Sequence, residues 1–150
     1  MIVRVQILAC ALLLSSAAVG TSAAETDPEI FIFSRGLNDQ FEWVWAMKRS
    51  QLLAVPPWEP GKSEAPLSPN QAVIVANDYL KKVVGVQGAK PFAIQLITLG
   101  TGPDSENRWA YYIHFTADPP LLSEDPRVND VHVAMDGKVI APEKRPRRHH

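Results

Sequence analysis

"PLSPNQAVIVANDYLKK", residues 66–82, opens with a serine between two prolines and then sets apolar residues at helical spacing. Ser68 is a natural N-cap, Pro69 takes the first helical position, where its missing N–H costs nothing, and Gln71 completes a capping box. Ala72, Val75, Ala76, Tyr79, Leu80 and Val83 recur at three and four and predict one apolar face, with Gln71, Asp78, Lys81 and Lys82 opposite. Ile74 falls on the polar side and reads as a lone exposed apolar residue rather than a partner contact. Gly85 is placed to end the helix in a left-handed conformation.

Downstream of this helix the apolar period drops from 3.6 to 2. Residues 92–99 and 108–115 predict two strands joined by a turn-rich loop, and Trp109, Tyr111, Ile113 and Phe115 share one face of the second. After a proline-rich loop through Pro126, the residues Val131, Val133 and Met135 alternate with Asp130, His132 and Ala134 in a third strand. Asp136-Gly137 reads as a two-residue hairpin turn leading into a short last strand over 138–141.

Upstream, Phe41, Trp43, Trp45 and Met47 at period two predict a strand. A helix competes there, because Asp39 and Glu42 resemble a capping box, but the aromatic and β-branched content favours the strand. Residues 50–67 carry four prolines and predict an extended crossing with at most one helical turn at Ser50 to Leu53 and Trp58 as its anchor. Residues 25–40 read either as an edge strand around Ile30 to Phe33 or as an irregular arm. The expected fold is α+β, one main helix packed on a four- to five-stranded antiparallel sheet in the order β-α-β-β-β-β, within a single domain over 41–142.

The basic start Met1 to Arg4 and the apolar run Val5 to Val19 predict a signal peptide over residues 1–24, cleaved near Ala24. That run is too short to be a transmembrane anchor, which needs roughly 20 residues. The single cysteine, Cys10, would leave with the leader, and a lipid-attachment reading of it is the weaker one because most of the apolar run follows it. A cysteine-free exported domain fits a bacterial periplasm or secretion. With 15 basic and 16 acidic residues, no global field favours nucleic acid or an anionic membrane. The basic stretch 143–150 reads as a solvated, disordered end.

Three segments carry a family resemblance. The helix opening Leu67-Ser68-Pro69-Asn70-Gln71-Ala72, the aromatic strand 108–115 and the closing hairpin 132–140 together resemble PepSY-like domains, within the cystatin-like group. The resemblance implies a binding or inhibitory module of the cell envelope and supplies no catalytic residues.

Candidate chemistry is sparse. No glycine-rich phosphate loop, G-x-S-x-G elbow or H-E-x-x-H pair is present, and no cofactor is implied. Strand parity puts His114 and His132 on the same face, away from the expected core, where with Asp130 they form a weak candidate metal site. The plainer reading of the pair is two solvated histidines on an outer face. The loop acids Asp104, Glu106, Asp118, Glu124 and Asp125 read as solubilising and turn-forming rather than as a catalytic pair. The expected function is an exported, non-catalytic module that binds a peptide or protein on the open face or edge of its sheet; the alternative is a small metal-dependent or hydrolytic enzyme using His114 and His132.

Overall fold

The computed structural model describes residues 26–116 and 125–147, so the expected leader and the acids Asp118 and Glu124 lie outside the described residues. The helix predicted from its cap is α2, Pro69–Tyr79. Ser68 Oγ accepts the Gln71 N–H at 3.2 Å and Gln71 Oε1 accepts the Ser68 N–H at 3.0 Å, closing the box. Ala72, Ala76 and Leu80 are fully inside. From Leu80 to Val84 the helix widens into a π turn that ends at Gly85, whose φ is 82°. The wider turn carries fewer degrees per residue, so Val84 rather than Val83 returns to the core. Val83, expected on the buried face, is 69% exposed.

The helix packs over part of a four-stranded antiparallel sheet, ordered β3 (Lys90–Thr98), β4 (Trp109–Thr116), β5 (Asp130–Ala134), β6 (Val139–Ile140). Tyr111, Ile113 and Phe115 of β4 and Val131 and Val133 of β5 are buried on one face, and the Tyr111 hydroxyl donates to the carbonyl of Leu67 just before α2 at 3.0 Å. The proline-rich crossing is pinned as expected, with the Trp58 ring edge-on to Trp109 and the Trp109 indole N–H donating to the Trp58 carbonyl at 2.9 Å. The β5–β6 turn differs from the predicted two-residue type. Gly137 donates to Ala134, and Ala134 donates to Lys138, so three residues form the loop and only Gly137 takes positive φ.

The larger departure is a second sheet. β2 (Phe41–Lys48) does not join the first sheet; it lies between β1 (Glu29–Gly36) and β7 (Glu143–Pro146), antiparallel to both. The helical competitor for 41–47 is excluded, and a short helix α1, Arg49–Ala54, follows directly. The β1–β2 turn is local chemistry, since Asn38 Oδ1 accepts the N–H groups of Gln40 and Phe41, both at 2.9 Å. The tail expected to be disordered over 143–150 is, up to Pro146, the strand β7. Arg145 binds Glu29 through two contacts of 2.6 Å and Glu143 at 2.7 Å, and the Lys144 ammonium sits 4.5 Å above the Phe41 ring.

Two sheets form because one helix cannot cover all the apolar surface. Trp45 is 0% exposed beneath the β1–β2 hairpin; burying an indole removes about 200 Å² from water, on the order of 5 kcal/mol before ordering costs. The hairpin therefore covers the sheet face opposite the helix, which sequence parity assigns to solvent.

Candidate functional site

Register places the two candidate histidines on one face, as parity requires, but not opposite each other: His114 pairs with Asp130 and His132 with Tyr112. The face is not solvated. His132 is 2% exposed, with its ring 5.2 Å from Trp45, 5.0 Å from Tyr112 and 6.1 Å from Phe33. Burial pushes its pKa down to about 4, against the opposing pull of Asp130. Its Nδ1 is buried without a partner, as is the Nε1 of Trp45. No group of three His, Cys, Asp or Glu side chains among the described residues is arranged to hold a metal ion, so the suggested trio of His114, His132 and Asp130 does not assemble.

Asp130 is instead the centre of a hydrogen-bond knot. Its carboxylate, on a residue 5% exposed, accepts from Tyr112 at 2.7 Å and Arg35 at 2.9 Å and lies 2.8 Å from His114 Nδ1. Burial first, then the bond to Asp130, raises the Tyr112 hydroxyl to about 12. A buried carboxylate needs such partners to offset desolvation. Through Arg35 the knot ties the β1–β2 hairpin to the four-stranded sheet. Arg35 and Tyr112 were missed by sequence reasoning; the available signal was an arginine following Phe31 and Phe33 at period two. His114 keeps a partly open side with Phe92 edge-on at 6.0 Å.

Beside this knot runs a cleft of about 540 Å³. Ile32 and Phe33 of β1 form one wall, Gln95 to Thr98 of β3 the other, and Trp109, Tyr112 and His132 line it from β4 and β5. A β-bulge between Phe31 and Phe33 breaks the alternation of β1, which brings the adjacent Ile32 and Phe33 to the same wall. Both walls are sheet edges. Among the described residues β1 pairs only with β2 and β3 only with β4, so each has one edge without a strand partner there. β3 is also poorly covered, since Phe92 is 75%, Ile94 41% and Leu96 37% exposed. A larger depression, about 990 Å³, lies around Glu29, Glu42, Arg145 and Arg147, and within it the Arg145 guanidinium is committed to Glu29 and to Glu143.

Of the loop acids, Asp104 is paired with Arg49 and Asp125 with Arg127, which fits structural duty. Ile74 is exposed on the outer side of α2, as expected. Among the described residues no helix is long and apolar enough to cross a membrane. No family model, curated protein or solved structure matches the chain.

Proposed function

We propose that this protein is an exported, non-catalytic binding module that captures an extended peptide segment of a cell-envelope protein by strand addition to β3, with one ligand side chain in the adjoining cleft. The observation that carries the reading is the cleft between two sheet edges that have no strand partner among the described residues, one of them a nine-residue strand with no charge from Pro91 to Thr98. Native edge strands are usually blunted by charge, proline or a covering element. On β3 only Lys90, Pro91 and the adjacent bulge serve that purpose, all at one end, and a partner strand would hide Ile94 and Leu96. The open sheet face considered from sequence is covered by the hairpin, so the edge is the recognition element.

The basic and apolar start of the chain supports export to the periplasm or outside the cell. A helix against an antiparallel sheet is compatible with the PepSY-like, cystatin-like resemblance, with the β1–β2–β7 sheet added to that plan. The enzyme alternative keeps one observation, the 2.8 Å contact of His114 with a buried aspartate, which is how a general base is oriented. Among the described residues no hydroxyl or thiol is shown bonded to that imidazole, and His132 is sealed among aromatic rings.

Titration of the mature protein with short capped peptides alternating threonine and valine, followed by tryptophan fluorescence, tests strand capture. Saturable binding that is lost on N-methylation of alternate peptide amides, and weakened about tenfold or more by Leu96→Arg, supports it. Binding indifferent to N-methylation refutes it.

A further inference from the structure

The cleft contains a feature that main-chain pairing does not use. His132 lines it from β5, yet the Nδ1 of this 2%-exposed residue has no hydrogen-bond partner. Buried polar atoms in native proteins are almost always satisfied, and the exceptions call for a partner from elsewhere. The imidazole nitrogen is an acceptor in one tautomer and a donor in the other, and only a group able to both donate and accept, such as a hydroxyl, matches both. Around it the cleft is aromatic and aliphatic, with Phe33, Ile97, Trp109 and Tyr112 offering flat apolar contact. Phe33, 46% exposed, forms the cleft wall beside the imidazole, with ring centroids 6.1 Å apart, and contact with the enclosed Nδ1 requires the lining rings to shift.

Building on the strand-capture reading, we infer that the cleft is a specificity pocket for a tyrosyl side chain of the captured peptide, its ring held among Phe33, Ile97 and Trp109 and its hydroxyl hydrogen-bonded to His132 Nδ1. The volume of about 540 Å³ accommodates a phenol with room for its flanking main chain. A phenylalanine fills the same space but leaves Nδ1 orphaned, and a site built around a hydrogen bond discriminates against the analogue that lacks it.

The test uses the mature protein and three capped threonine–valine peptides with tyrosine, phenylalanine or alanine at the centre, with p-cresol as the free phenol. The expected result is that the tyrosyl peptide binds about tenfold more tightly than the phenylalanyl one, that His132→Phe abolishes this preference while both peptides still bind, and that p-cresol alone binds far more weakly. Imidazole ¹⁵N shifts of His132 in the unmutated protein give a readout independent of any variant; they should move with the tyrosyl and not the phenylalanyl peptide. Equal binding of the tyrosyl and phenylalanyl peptides, or unmoved ¹⁵N shifts, overturns the tyrosine pocket and leaves strand capture standing. If no peptide binds while p-cresol does, strand capture falls and the phenol contact alone survives; if nothing binds, both fall.

Discussion

Acidifying the solution should destabilise this protein through one residue, His132, and the size of the effect follows from where that ring sits. Packed against Phe33, Trp45 and Tyr112, the imidazole takes up a proton only near pH 4, whereas in an unfolded chain it does so near 6.5. Asp130 pulls the other way, but its charge is shared among Arg35, Tyr112 and His114. Between the two values the unfolded state binds the extra proton, so falling pH favours unfolding; the contribution is intact above about 6.5, declines through the interval and levels off below about 4. From about pH 7 to about pH 5 the loss is about 2 kcal/mol, obtained by integrating the proton-binding difference at about 1.4 kcal/mol per pH unit. The carboxylates held below their ordinary range, Asp27 by Ser50, Asp78 by Lys82 and Asp104 by Arg49, titrate below that window. Urea unfolding of the wild type and His132→Phe at both pH values is the assay. The wild type should lose about 2 kcal/mol more than the variant on acidification. A variant as acid-sensitive as the wild type, or an NMR titration placing His132 near 6.5, refutes the reasoning that it is sealed and neutral.

Three further outcomes follow from the same geometry. Replacing the buried carboxylate by Asp130→Ala strands Arg35 and the Tyr112 hydroxyl and should cost about 3 kcal/mol, the low end for breaking a buried pair because Arg35 is half exposed; equilibrium denaturation reads this, and amide exchange should show the β1–β2 hairpin loosening first. Ser68→Ala removes a cap that closes a complete box and should lower stability by about 1 kcal/mol, visible as a fall of a few degrees in Tm. Because the π turn rotates Val83 outward, Val83→Ala should change stability by less than about 0.5 kcal/mol, whereas Leu80→Ala should cost about 3 kcal/mol, and equal costs would contradict the observed phase.

What was legible in the sequence is what depends on neighbouring residues. The start of α2 could be read because Ser68, Pro69 and Gln71 solve the helix N-terminus among themselves, and Gly85 marks its end for the same reason. Strand parity in β4 was also legible, since Tyr111, Ile113 and Phe115 must share a face whichever sheet they enter. Parity does not say which strands pair, and so it could not separate β2 from the main sheet. β7 was hidden for a related reason: Glu143, Lys144 and Arg145 have no apolar alternation, and their strand exists because β2 offers an edge and Glu29 offers Arg145 a partner. The burial of His132 was the costliest misreading. A polar residue between two valines reads as solvent-facing when one face is taken to be covered, and here both are.

The covering of that second face is also what makes the cleft. Had β2 entered the main sheet, Trp45 would have had its neighbours in the plane and His132 would lie open to water, an ordinary surface residue. Packing the hairpin across the sheet instead sets the free edge of β1 beside the free edge of β3, with the buried imidazole lining the cleft between them. The Arg35–Asp130 contact is an ionic link between the two layers beside the cleft. On the proposed strand-capture reading, loosening it with Arg35→Ala should weaken peptide binding more than it weakens global stability. Without Arg35 the buried Asp130 keeps Tyr112 and His114 as partners, so part of its compensation survives, while a shift of about 1 Å between the two edges is enough to spoil a specific contact.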